Sequence, residues 1–255
     1  MIPIKDDIPT RRFPILTVLI IVACTVVYFG FEHGGLTLGH RGEEKVVDYG
    51  AIPYEISHPG KECARELSLQ VKCPSHAQKN QPSTWVTLFT SMFMHGGLLH
   101  LGGNMLFLWI FGNNVEDSMG RPRFVLFYLL GGLAALLGQT LIDPNSVAPT
   151  VGASGAIAAV LGGYALLYPR ARVITVIFII IFFTIVELPA LVVLGLWFLM
   201  QVFYGAAQLG QPLGGSGGVA YFAHIGGFLF GLVLIKLFAN RVQTDYEDQR
   251  RIPAY

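Results

Sequence analysis

The chain has 255 residues, 53% of them hydrophobic and only 13% charged, with a formal net charge of +1. At a mean hydropathy of +0.56 it has too little polar surface for an ordinary soluble domain and reads as an integral membrane protein. No basic cluster interleaved with aromatics appears, so nothing points to nucleic acid as a partner.

A hydrocarbon core of about 30 Å needs roughly 20 apolar residues to cross it. Measured so, residues 1–12 form a polar N-terminal segment and 13–30 a first span. No small-x-small cleavage site follows this run, so it is expected to stay uncleaved, with Cys24 a packed thiol. A long loop, 31–83, holds Cys63 and Cys73, which offer one disulfide in an oxidising compartment. Further spans are read at 98–115, 124–142, 154–168, 188–209 and 219–238, with a tail at 239–255. Residues 173–186 are β-branched and aromatic, unlike a good helix former, and are read as interfacial. The expected fold is all-α: a bundle of six transmembrane helices.

Charge placement supports that count. With the N-terminus inside, the inside segments hold Lys5, Arg11, Arg12, Arg121, Arg123, Arg170, Arg172, Lys236, Arg241, Arg250 and Arg251. The two short outside loops hold no lysine or arginine, as the positive-inside rule asks. A seven-span alternative would put Arg241, Arg250 and Arg251 outside.

Spans two, four and six then run from outside to inside, and each opens on polar residues. HGGLLHLGGN carries His95, His100 and Asn104; GASG carries Ser154; FAHIGG carries His224. His100 and Asn104, four apart, share a helix face. Ser154, Ala158 and Gly162 line one face of the fourth span, and His224, Gly227 and Gly231 one face of the sixth. Stripes of small residues let membrane helices approach closely, so packing through them would bring Ser154 to His224. The fourth span is short: fifteen residues cover about 22 Å, which leaves its head roughly 8 Å below the outer edge of the core. A pocket reached by water is implied.

Each feature has a plainer reading. A serine in a membrane helix usually bonds back to its own carbonyls, and a histidine there can be a packing donor or part of a proton relay. Together, three histidines, an asparagine and a serine at one depth are costly unless used. A zinc site is disfavoured, because HGGLLH lacks the H-E-x-x-H arrangement. A serine activated by a histidine needs only hydrogen-bond reach and donors for the oxyanion. His100, Asn104 and the backbone N–H of Ser154 can supply those donors.

HGGLLHLGGNM, GASGAIAA and AHIGGFLFG, in that order and spacing, resemble the rhomboid family of intramembrane serine proteases. The resemblance implies a six-helix fold with Ser154 as nucleophile and His224 as general base, a dyad without a carboxylate. It also implies that His100 and Asn104 help form the oxyanion hole, that His95 is a structural or water-holding neighbour, and that Gly152 and Gly155 are the glycines around the serine. Two positions depart from the family pattern. The expected Trp-Arg pair reads Trp85, Val86, and the position of a tyrosine that stacks on the base is Ala158, which leaves the orientation of His224 unexplained.

The expected function is cleavage of single-span membrane proteins near the outer face, with the lipid bilayer as solvent and without metal or cofactor. The expected location is a bacterial inner membrane with both termini cytoplasmic. The alternatives are a catalytically silent rhomboid-like protein that binds membrane clients, and a small transporter, which the scarcity of intramembrane carboxylates disfavours. Substrate is expected to enter beside span five, past Trp197 and Phe198, with the glycine-rich loop 210–218 lifting above.

Overall fold

The computed structural model of the chain describes residues 1–65, 71–75, 82–179, 182–209 and 218–240. The loop 210–217 and the tail from 241 onward, with Arg241, Arg250 and Arg251, lie outside the described residues.

The chain starts with strand β1 (Ile2–Asp6) and enters helix α1 (Ile15–Val26), which ends in a π-turn, Val27–Phe31. The first loop folds into α2 (His40–Tyr49), α3 (Pro53–Ser57) and a hairpin of β2 (Glu62–Arg65) and β3 (Val71–Ser75). Cys63 and Cys73 are joined by a disulfide across that hairpin. After α4 (Thr84–Thr90), α5 (Leu98–Phe107) runs through a π-turn, Leu108–Gly112, into α6 (Asn113–Met119). Then come α7 (Arg121–Ile142), α8 (Ser154–Leu167), strands β4 (Arg172–Ile179) and β5 (Phe182–Pro189), α9 (Ala190–Leu209) and α10 (Tyr221–Phe238).

The structure is mostly helical. Among the described residues α7, α9 and α10 are long and apolar enough to cross a membrane, and Ile15–Phe31 and Ser154–Leu167 are shorter apolar helices. Large apolar side chains point outward along α9 and α10, among them Leu199, Phe203, Val233 and Leu237, as expected of helices solvated by lipid.

The expectation of an all-α fold needs correction, because the described residues include two small antiparallel sheets. The stretch read as interfacial is the hairpin β4–β5, and β1 pairs with β4 on its other side to give the order β1-β4-β5. Its β-branched and aromatic side chains suit an extended strand better than a helix. The register slips between Pro3 and Lys5, where proline lacks the N–H a ladder requires. Leu188 and Pro189 belong to β5, so the helix of the fifth apolar run begins at Ala190.

α8 is the central helix, buried along nearly its whole length. A Cβ on Gly227 would overlap the carbonyl oxygen of Gly155, one on Gly231 that of Ala159, and one on Gly162 that of Phe228. Backbone therefore meets backbone between α8 and α10, and any side chain at these glycines would force the helices apart. α7 closes on α10 in the same manner, Gly138 and Gly226 lying in direct contact. These close approaches fix the register of α8 against α10 and thereby the relative depth of the residues at their heads.

Candidate active site

Ser154 is the first residue of α8, so its backbone N–H has no acceptor within the helix. His224 lies one turn into α10, and its Nε2 is 2.8 Å from Ser154 Oγ. The two residues expected to meet through the glycine stripes do meet, in hydrogen-bond contact. Both line a cavity of about 1290 Å³, together with His100, Asn104, Gly152 and Gln139. Val46 and Val71 of the first loop form part of the same wall.

The protonation of the dyad follows from its other neighbour. His224 Nδ1 lies 2.8 Å from Gln201 Oε1, while Gln201 Nε2 donates to the carbonyl oxygen of Trp197 at 3.2 Å. A carbonyl only accepts, so the amide nitrogen faces Trp197 and the amide oxygen faces the imidazole. Nδ1 must then carry the ring proton, and Nε2 presents a lone pair to the hydroxyl of Ser154.

His100 has the opposite tautomer. The backbone N–H of Gly96 donates to its Nδ1 at 3.3 Å, which leaves the proton on Nε2 as a donor. Gly152 packs directly on that end of the ring. A Cβ there would lie 2.8 Å from His100 Nε2 and 3.5 Å from Ser154 Oγ, and its φ of +126° is one that only glycine adopts without strain. The Gly152 N–H itself donates to the Ser91 carbonyl at 2.8 Å, which pins the approach to the serine. Gly155 abuts Ala135 and Gly227 and has no room for a side chain.

Asn104 is buried, and its Nδ2 has no hydrogen-bond acceptor among the described residues. A buried amide without a partner is costly, and this one lines the cavity beside His100 and Ser154. His95 is fully buried behind His100, edge-on at 5.2 Å between ring centroids. Its Nδ1 donates to Phe93 O at 3.2 Å, and its backbone N–H is held by the Glu32 carboxylate at 3.0 Å. His95 therefore buttresses His100 from outside the cavity.

Two polar residues were missed from the sequence. Gln139 on α7 accepts the Ala223 N–H at 3.3 Å, satisfying a first-turn donor of α10 next to His224. Gln201 on α9 was passed over within an apolar run. It sits eight residues before the end of α9, about 12 Å along the helix, near the depth inferred for Ser154. A lone polar side chain at that depth was the available signal.

Trp197 and Phe198, past which substrate is expected to enter, pack on α10. The Trp197 ring lies 5.7 Å from that of His224, and Phe198 stacks on Phe228 at 4.5 Å. Both rings therefore lie against α10.

The rhomboid domain model matches residues 82–241, a stretch that includes His95, His100, Asn104, Ser154, Gln201 and His224. The chain belongs to the rhomboid family. It is 31% identical over 183 residues to Rhomboid protein 1, mitochondrial, of Saccharomyces cerevisiae, covering 69% of this chain and 48% of that protein. Over 84 residues it is 42% identical to Rhomboid protease GluP of Bacillus subtilis, covering 33% of this chain and 16% of that protein. With RHOMBOID-like protein 1 of Arabidopsis thaliana it shares 31% over 166 residues, covering 65% and 38% of the two chains. The matched stretch thus spans about half or less of these relatives' own length.

Proposed function

We propose that this rhomboid family member is an intramembrane serine endopeptidase that cleaves single-span membrane proteins within or beside their helix. The observation that carries this reading is the 2.8 Å contact between Ser154 Oγ and a His224 nitrogen left free to take its proton. Ser154 Oγ attacks the scissile carbonyl carbon as its proton passes to His224 Nε2, and the carbonyl electron pair moves onto oxygen. His100 Nε2–H, Asn104 Nδ2–H and the Ser154 N–H are the donors available to that oxyanion. Collapse breaks the C–N bond, the imidazolium protonates the leaving amine, and water attacks the acyl-enzyme by the same route.

In this reading the apolar helices cross the membrane six times, and Ser154 lies below the surface at the end where the first loop folds over it. The arginine-bearing end, with β1-β4-β5, faces the cytoplasm, and a bacterial inner membrane fits that arrangement. A substrate must present extended backbone to Ser154, so segments of weak helix propensity are favoured. No step asks for a metal or cofactor.

The second reading, a silent client-binding protein, is separated by one experiment. Purified chain in liposomes with a single-span reporter should yield two fragments, and the Ser154→Ala protein none. Reporter bound but uncut by a folded wild-type chain would favour the silent reading.

A further inference from the structure

Ala158 stands where some rhomboids place an aromatic partner for the base, yet His224 is held from the other side. We propose that Gln201 on α9 is the positioning residue of the dyad, acting through His224 as the third member of a Ser154–His224–Gln201 chain. The inference rests on the protease reading above and adds the device that keeps the base in its working tautomer.

Both links are 2.8 Å long. Gln201 is buried, and its amide is oriented by the Trp197 carbonyl one turn earlier on the same helix. The Trp197 ring, tilted 35° to the imidazole at 5.7 Å, closes the same side of His224. One helix thus supplies an acceptor for Nδ1–H and a wall for the ring. A neutral imidazole held only by the serine could place its proton on either nitrogen. The amide oxygen stabilises the form with Nδ1 protonated, in which Nε2 is basic, and faces the positive charge that develops when Nε2 takes the serine proton. A neutral amide does this without the cost of burying a carboxylate. Because the acceptor comes from α9, any displacement of α9 from α10 would release the base, which ties productive chemistry to a closed α9.

The test uses the full chain in liposomes with a single-span reporter, comparing Gln201→Leu and Gln201→Glu. The leucine removes the acceptor at similar size; a glutamate, ionised or not, keeps an oxygen there. The leucine variant should lose on the order of 10- to 100-fold in kcat, the scale of losing the partner that orients a metal-bound imidazole, with KM within about twofold. The glutamate variant should recover most of the loss. 15N NMR of histidine-labelled protein, with His224 assigned by its absence in His224→Ala, should show the proton on Nδ1 in wild type and a shift toward Nε2 in the leucine variant. Unchanged kcat in the leucine variant, an unmoved tautomer, or a glutamate variant as impaired as the leucine one would overturn the proposal. Should the leucine variant not fold, a wild-type His224 protonated on Nε2 would overturn it alone. Turnover by a Ser154→Ala control would sink the protease reading instead, and the tautomer measurement would still decide the role of Gln201.

Discussion

The two ends of α8 carry polar clusters of opposite character. Near its C-terminal end the Asp6 carboxylate accepts the Tyr164 hydroxyl at 2.6 Å and the Asn114 amide at 2.6 Å. These polar groups are matched, and they bolt β1 to α8 and α6. At its N-terminal end, among the described residues, Asn104 Nδ2 has no acceptor and no hydrogen bond engages His100 Nε2–H, while Ser154 starts the helix beside a cavity. Buried polar groups are normally paired, and exceptions call for an explanation. The paired end is a lock; the unpaired donors, gathered around one hydroxyl, suit an oxygen that becomes charged only during reaction.

This contrast can be broken by substitution. The largest effect is expected at the dyad: Ser154→Ala and His224→Ala should each abolish reporter cleavage while the protein remains folded in the membrane. The double variant should be no worse than either, since residues acting as a unit are non-additive. Next, Asn104→Ala should lower kcat by on the order of 10²-fold, the loss typical of one oxyanion donor, with little change in KM. A loss confined to KM would make Asn104 a packing residue.

The lock should behave in the opposite way. Asp6→Ala strands the Tyr164 hydroxyl and the Asn114 amide, each worth about 1–3 kcal/mol when left unsatisfied. It should lower stability by roughly that much per group while turnover per folded molecule stays close to wild type. A catalytic defect without destabilisation would erase the distinction between the two ends.

A smaller effect concerns pH. Burial raises the Asp6 carboxyl from 3.8 to about 7, against the opposing hydrogen bond from Tyr164. A carboxyl that holds its proton more tightly when folded stabilises the fold most below its unfolded value. That contribution should fall as pH rises from about 4 to about 7 and be flat above. Denaturation midpoints measured across this window should show the slope in wild type and lose it in Asp6→Asn.

The legibility of the two ends also differed, for a physical reason. The site end is written in short-range signals: glycine stripes at helical spacing on α8 and α10, and polar residues where apolar runs begin. Helix periodicity then converts those spacings into a meeting of Ser154 and His224. The lock end is written in pairings with no local signature, Asp6 and Tyr164 lying 158 residues apart. An acid in a charged N-terminal segment looks solvated until β1 is seen to anneal to β4. The sheet was hidden likewise, because a run of valine, isoleucine and phenylalanine is apolar whether it is helix or strand. Gln201 fell between these cases: its depth was readable, but its partner on α10 was not.

The central claim is that Ser154 is a nucleophile activated by His224. Purified protein in detergent should be treated with a fluorophosphonate, and the adduct located by mass spectrometry. A single adduct on Ser154, absent from the folded His224→Ala protein, is the predicted result. A folded wild-type protein that stays unlabelled, or is labelled equally when His224 is replaced, would contradict the claim.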